Sequence, residues 1–159
     1  MKKITAVLFS FFLIGICFGQ YKSGLSEKEW VDSVLNSLSP DEKIAQLMVI
    51  RAHSNLGQDH VKQVSDLISQ YNVGALCFFQ GGPVRQANLT NIYQSMAKTP
   101  LMVTIDGEFG LGMRLDSVAK FPYQSTVGAV LDEKIIYEMG VAVGQQMKRI
   151  GIHVNYAPT

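Results

Sequence analysis

Pro100-Leu101-Met102-Val103-Thr104-Ile105-Asp106-Gly107-Glu108-Phe109-Gly110-Leu111-Gly112-Met113-Arg114-Leu115 is the stretch that decides the fold, because a short apolar run ends abruptly in acids, glycines and an arginine. Leu101 to Ile105 is apolar and β-branched without strict alternation, the pattern of a strand buried on both faces of a parallel sheet. Such a strand delivers Asp106 to the rim at its carboxyl end. Gly107, Gly110 and Gly112 then let the backbone turn tightly or approach a ligand, and Arg114 presents a planar fork of donors suited to carboxylates or paired hydroxyls. These residues alone fit two readings equally: a binding site, or a polar turn held by an Asp–Arg ion pair.

Outward from this stretch the chain alternates helix and strand. Ser26 to Leu38 reads as a helix striped by Trp30, Val31, Val34, Leu35 and Leu38. Ser39 as N-cap, Pro40 in the first helical position and Glu42 three residues after Ser39 mark a second helix with a capping box, running to about Leu47. Met48 to Arg51 is the first strand. Val61, Val64, Ile68 and Tyr71 stripe the next helix, and Val73 to Phe79 is the next strand. Val84 to Lys98 is helical. Ile135, Met139, Val143, Met147 and Ile150 stripe a helix from about Asp132, and Ile152 to Tyr156 is a further strand. Strands separated by helices of this length pair in parallel through right-handed crossovers. The fold class is therefore α/β with about four strands. Either an arc of a barrel or a complete flavodoxin-like sheet satisfies that pattern.

The Asp-x-Glu at a strand end, the glycines, an Arg eight positions after the Asp, and the following Phe121-Pro122 resemble the N-terminal domain of family 3 glycoside hydrolases, most of all the bacterial β-N-acetylhexosaminidases. Three more segments agree in the family's order: Leu38-Ser39-Pro40-Asp41-Glu42-Lys43-Ile44-Ala45-Gln46-Leu47, Asn72-Val73-Gly74-Ala75-Leu76, and Gly151-Ile152-His153-Val154-Asn155-Tyr156-Ala157-Pro158. The resemblance implies that residues 20–159 are the N-terminal portion, roughly half, of a TIM-type (β/α)8 barrel. It also implies that Asp106 and Arg114 hold hydroxyls of the sugar at the subsite where the bond is cut, as binders rather than catalysts. The nucleophilic Asp and the acid/base His of the family would lie beyond Thr159, leaving this chain without catalytic residues of its own and inactive alone. Phe109-Gly110 stands where the commoner family pattern has two adjacent glycines, a departure that bears on loop shape and sugar preference.

Length agrees with a partial barrel. A complete one takes about 250 residues, and the chain has 159. The last residues read as a loop entering a strand and reaching a rim where a helix should follow, so truncation is expected; the alternative is a complete small α/β domain. At the other end Lys2 and Lys3 precede an apolar run from Ile4 to Phe18, the pattern of a secretory signal peptide cleaved after Gly19. The run is short for a membrane span. Cys17 as a lipidated residue fits less well, because bulky Ile16 precedes it. The expectation is export to the periplasm or the medium, with no transmembrane segment once the leader is gone.

Loss of residues 1–19 takes two lysines from 14 basic residues and none of the 13 acids, bringing the charge near zero. No basic patch or arginine-rich helix appears, so nucleic acid is not expected as a partner. Cys77 lies in the apolar run Ala75 to Phe79 and reads as a core residue without a disulfide partner once Cys17 has left. His53, His60 and His153 share no metal-ligand spacing, and neither a metal nor a cofactor is implied; Arg51 and His53 lie at and just after the end of the first strand, in place for a minor role at the rim. Gln80-Gly81-Gly82-Pro83 lacks the Lys-Ser/Thr of a phosphate loop and reads as a rim turn. Asn88-Leu89-Thr90 matches a glycosylation triplet but falls in a helix.

Three functions follow, in different classes. The first is the N-terminal part of an exported retaining glycosidase acting on terminal β-linked N-acetylglucosamine or a related β-glycoside, such as a β-glucoside. The second is a non-catalytic carbohydrate-binding module with the same rim. The third is a small α/β enzyme using Asp106 and Glu108 directly, alone or with a divalent metal on oxygen ligands. A retaining glycosidase needs two carboxyls about 5–5.5 Å apart flanking the bond, whereas two from one loop segment approach from one side. Whether Glu108 touches ligand or braces the loop is left open by the sequence.

Overall fold

The computed structural model describes residues 24–157; the leader reading, Cys17 included, lies outside the described residues. The chain divides into Met1–Asn36 and Ser37–Thr159. In the first, α1 (Glu27–Ser37) starts at Ser26, whose backbone and hydroxyl both donate to the Glu29 carboxylate, at 2.7 and 2.6 Å. Those bonds hold the Glu29 carboxyl below its ordinary range. No residue of α1 is buried, and Trp30, Val31 and Leu35 stay exposed.

The second unit begins with α2 (Pro40–Ala45), whose capping box is complete: Ser39 N–H donates to the Glu42 carboxylate at 2.8 Å and Glu42 N–H donates to Ser39 Oγ at 3.2 Å. The helix stops two residues short of the expected Leu47, because the Ala45 carbonyl accepts from Met48 and from Gly74 across the chain. β1 (Val49–Ala52) therefore starts one residue later than the periodicity predicts. α3 (Gly57–Tyr71) buries Val64 and Ile68 but leaves Tyr71, the last residue of the expected stripe, half exposed. β2 (Ala75–Phe78) is buried at every position, and Cys77 is a buried free thiol. α4 (Pro83–Met96) opens on proline, as the first helical position favours. It contains Asn88-Leu89-Thr90.

β3 (Met102–Ile105) starts one residue later than expected and ends at Ile105 as expected, which leaves Asp106 as the first residue beyond it. A single 3₁₀ turn, Leu111–Met113, and a one-turn helix α5 (Gln124–Val127) follow, neither anticipated from periodicity. α6 (Glu133–Arg149) is capped by the Asp132 carboxylate, which accepts from Lys134 N–H at 3.0 Å; of its apolar stripe only Met147 is buried. β4 is just Val154–Asn155, not Ile152 to Tyr156. The His153 imidazole explains the shortening: its Nδ1 accepts the Val103 N–H at 2.9 Å, the donor that a longer ladder would have used.

All three pairings are parallel and the sheet order is β1-β2-β3-β4, with Val49 opposite Ala75, Ala75 opposite Met102 and Ile105 opposite Asn155. Strand order equal to chain order means that every crossover advances in the same direction. A doubly wound sheet instead reverses direction at a switch point. The arrangement is thus an arc of a TIM-type (β/α)8 barrel, with β1 and β4 at its open edges among the described residues. Ala52, Leu76, Phe78, Val103 and Ile105 form the strand side of the core, and Val64, Ile68 and Tyr93 the helix side.

The amino-terminal side of the sheet is locked by Asn72 and Gly74. Asn72 ends α3 in the left-handed region (φ 55°), its side chain exchanges two 3.1 Å hydrogen bonds with Thr99, and its carbonyl accepts from Gln46 Nε2 at 2.5 Å. At Gly74 a Cβ would stand 1.9 Å from the Gln46 carbonyl oxygen, a collision with backbone that no rotamer relieves. Gly74→Ala is therefore expected to cost about 2–3 kcal/mol, as overpacking against rigid neighbours does. Urea unfolding followed by circular dichroism checks this, and a midpoint within error of wild type would contradict the close approach.

Candidate functional site

The carboxyl ends of β1, β2 and β3 carry three loops that meet on one rim. The loop after β3 holds the expected pair. Arg114 Nε donates to the Asp106 carbonyl at 2.7 Å, and its terminal nitrogen forms a short ion pair with the Asp106 carboxylate. The side chains keep 17% and 31% of their surface, so the pair is partly buried yet open to a ligand. A guanidinium has five N–H donors; these two bonds leave three.

The loop itself is folded by backbone geometry. Gly110 adopts φ 84°, and a Cβ there would lie 2.9 Å from the Phe121 ring, so glycine is required on both conformational and steric grounds. Gly110 N–H closes a turn onto the Gly107 carbonyl at 3.0 Å, and the Leu111–Met113 turn brings Arg114 back over the strand end. Asn155, at the end of β4, clamps Gly107 from the neighbouring strand: its Oδ1 accepts the Gly107 N–H at 2.9 Å and its Nδ2 donates to the Gly107 carbonyl at 3.2 Å. Glu108 is held through its backbone, whose carbonyl accepts from Gln124 Nε2 at 2.5 Å. Phe109 packs edge-on against exposed Tyr123, with ring centroids 4.7 Å apart.

Gln80-Gly81-Gly82-Pro83 is a tie between loops. Ser54 Oγ accepts the Gly82 N–H at 3.1 Å, Ser54 N–H donates to the Gln80 carbonyl at 3.0 Å, and Asp116 N–H donates to the Gly81 carbonyl at 2.8 Å. Arg85 joins the same tie, donating to the Ser54 carbonyl at 3.1 Å and pairing with Asp116 at 2.9 Å. An apolar layer lies beside it. The Arg114 guanidinium carbon sits 4.8 Å from the Phe79 ring centroid, and Phe79 stacks on His53 at 5.8 Å and 23°. His53 meets His60 edge-on at 5.4 Å, while His153 belongs to the β3–β4 edge. Burial foremost, then the neighbouring His60 and Arg51, holds His53 below the ordinary histidine range. A cleft of about 530 Å³ between the starts of α3 and α4 is lined by His53, Arg85 and Asn88 among others and includes neither Asp106 nor Arg114. Among the described residues no three His, Cys, Asp or Glu side chains converge as metal ligands would.

The sequence model of the Glycosyl hydrolase family 3 N terminal domain matches residues 39–159. The chain belongs to that family. Beta-hexosaminidase A of Pseudoalteromonas piscicida is 33% identical over 110 residues, which cover 61% of this chain and 18% of that protein. Among solved structures, a beta-glucoside phosphorylase, BglX, bound to 2FGlc superposes with a TM-score of 0.73 at 25% identity, over 84% of this chain and 24% of that one. A fungal multi-domain GH3 beta-N-acetylglucosaminidase superposes with a TM-score of 0.61 at 25% identity, over 76% and 15%. The chain thus spans about a quarter or less of the length of these relatives.

Asp106 and Arg114 are together, as the motif spacing implies. The Asn155 clamp and the stacking of Phe79 between His53 and Arg114 were not legible, although the place of His53 at the rim was, Asn155 sits in a segment that carries the family resemblance and Phe79 directly precedes the rim turn. Replacing Asn155 with Ala removes both bonds to Gly107 and should speed amide exchange at Gly107 at least tenfold, since each lost bond is worth about 1 kcal/mol. Exchange measured by NMR at unchanged rate would show that the loop holds itself.

Proposed function

We propose that this domain forms the sugar-holding part of an exported glycosidase that releases terminal β-linked N-acetylglucosamine with retention of configuration. The observation that carries the reading is the Asp106–Arg114 pair at the end of β3, with free donors on Arg114 and both side chains reachable from the rim. Membership of a glycoside hydrolase family supports a carbohydrate substrate, and the likeness to a beta-hexosaminidase favours the N-acetylated sugar. The likeness to a beta-glucoside phosphorylase favours a β-glucoside as the second reading. Export rests on Lys2, Lys3 and the apolar run Ile4 to Phe18.

In this reading Asp106 accepts hydrogen bonds from sugar hydroxyls and Arg114 donates to them, fixing the ring so that its anomeric carbon faces an attacking carboxylate. A nucleophilic Asp and an acid/base His, both expected in sequence beyond Thr159, perform the two displacements: attack with protonation of the leaving oxygen, then hydrolysis of the glycosyl-enzyme. Hydrogen bonds that shorten as the ring flattens lower the barrier, because they are stronger in the transition state than in the ground state. The Asp106 carboxylate is already engaged by Arg114, which suits a binder better than a nucleophile.

Nitrophenyl β-N-acetylglucosaminide and the matching β-glucoside, offered to the product of the longest reading frame containing this domain, test the assignment. Preferred cleavage of the first is expected, preferred cleavage of the second selects the β-glucoside reading, and cleavage of neither overturns both. Asp106→Ala and Arg114→Ala should each lower kcat/KM by about 10- to 100-fold, the range for lost hydrogen bonds to a charged group. The melting temperature should move little, because a partly exposed pair adds about 1 kcal/mol or less.

A further inference from the structure

The rim holds a contact chain that the sugar-binding roles do not use. Arg114 lies over the Phe79 ring, Phe79 stacks on His53, and His53 touches His60. These four side chains come from the ends of β1 and β2, from α3, and from the loop after β3. Arg114 is the only one that also bonds Asp106. Its two hydrogen bonds go to the carbonyl and the carboxylate of one residue, so they fix its place beside Asp106 but leave the guanidinium plane free to pivot about the line through them. A ring face under the guanidinium removes the pivot, since a cation prefers to lie over the ring at about this separation.

We propose that Phe79 and His53 are positioning residues that orient the Arg114 guanidinium for its ligand, and that this orientation requires His53 to be neutral. The tautomer follows from the bonds. His53 Nδ1 accepts the Gln80 N–H at 3.4 Å, so its proton sits on Nε2, which is buried without a partner. His60 Nε2 accepts the His53 backbone N–H at 3.0 Å, so His60 carries its proton on Nδ1. A second proton on His53 would point at the Gln80 N–H and break that bond. It would also add a cation to a neighbourhood already holding Arg51 on β1, Arg85 in the adjoining cleft, His60 on α3 and Arg114 on the shared Phe79. His53, held below the ordinary value of 6.5 by burial and then by His60 and Arg51, stays neutral at pH 7. The positioning is therefore complete above pH 6.5 and is lost as pH falls toward the lowered value.

The proposal deepens the sugar-holding reading of Arg114, yet its first test needs no sugar. In the full chain, the Arg114 Nε–H resonance, assigned by its loss in Arg114→Lys, should exchange slowly at pH 7 and shift below pH 6.5 in a step that depends on His53. Phe79→Leu should speed its exchange about tenfold and Phe79→Trp should restore it. His53→Phe, which keeps a stacked ring but carries no proton, should retain slow exchange and remove that step. An Arg114 signal indifferent to Phe79→Leu, or a pH profile that is the same in wild type and His53→Phe, overturns the proposal. Should Phe79→Leu fail to fold, the wild-type step and its loss in His53→Phe decide the matter. Binding of N-acetylglucosamine, followed on the same spectra, separates this from the functional reading: a coupled Arg114 with no sugar bound fails only the function, and a bound sugar with an uncoupled Arg114 fails only the positioning.

Discussion

Parallel pairing in chain order is the constraint on which the rim depends. Because β1 to β4 all run the same way and each crossover advances by one strand, all four carboxyl ends face one side, and the loops that leave β1, β2 and β3 are neighbours. Ser54, Gln80 to Gly82 and Asp116 tie to one another only because the sheet delivers them together. The opposite side of the sheet shows the complementary use of the same geometry. There Gln46, Asn72, Gly74 and Thr99 are spent on closing backbone hydrogen bonds, and Gly74 is small because a carbonyl occupies the space its side chain would need. A barrel fold separates these duties by face, with stability at the amino ends of the strands and chemistry at the carboxyl ends.

Much of this was written in local sequence. The Ser39-Pro40-x-Glu42 start, the Gly82-Pro83 entry to α4 and the apolar run ending at Asp106 each name their own structure, because caps and buried strands are short-range matters. The ends of elements were less legible. α2 stops at Ala45 because Gly74, twenty-nine residues on, competes for its carbonyl, and β4 shrinks to two residues because His153 satisfies a donor on β3. Periodicity carries no information about either event. Alternation of helix and strand alone fits a barrel arc and a doubly wound sheet equally; it was the family resemblance that pointed to the barrel arc, which the strand order bears out. Only the direction of successive crossovers separates them, and that direction is a tertiary property.

The site divides along the same line. Asp106 and Arg114 are eight residues apart and joined by one loop, so their pairing is a local consequence of Gly110 and the Leu111–Met113 turn. Asn155 and Phe79 reach the site from other strands, where no spacing in the sequence announces them; the place of His53 just after β1 was legible, but not its stacking on Phe79. Phe109 and Tyr123 show a mixed case. The departure from paired glycines was visible, but its outcome, an aromatic pair on the rim, depends on where the segment after Phe121-Pro122 returns.

The energetics of the pair explain why such support is useful. An ion pair between side chains that keep 17% and 31% of their surface gains little in water, about 1 kcal/mol or less. That weakness suits a binder, because Arg114 can share its donors with a hydroxyl without giving up much. It also means that the pair alone would not hold one orientation, and a ligand would then lose affinity to the ordering of a long flexible side chain, about 0.5–1.5 kcal/mol. Fixing that side chain beforehand is a task for contacts that a hydroxyl does not disturb. A guanidinium lying on an aromatic face leaves its in-plane N–H groups free, so the Phe79 ring can constrain Arg114 while every remaining donor stays available to the ligand.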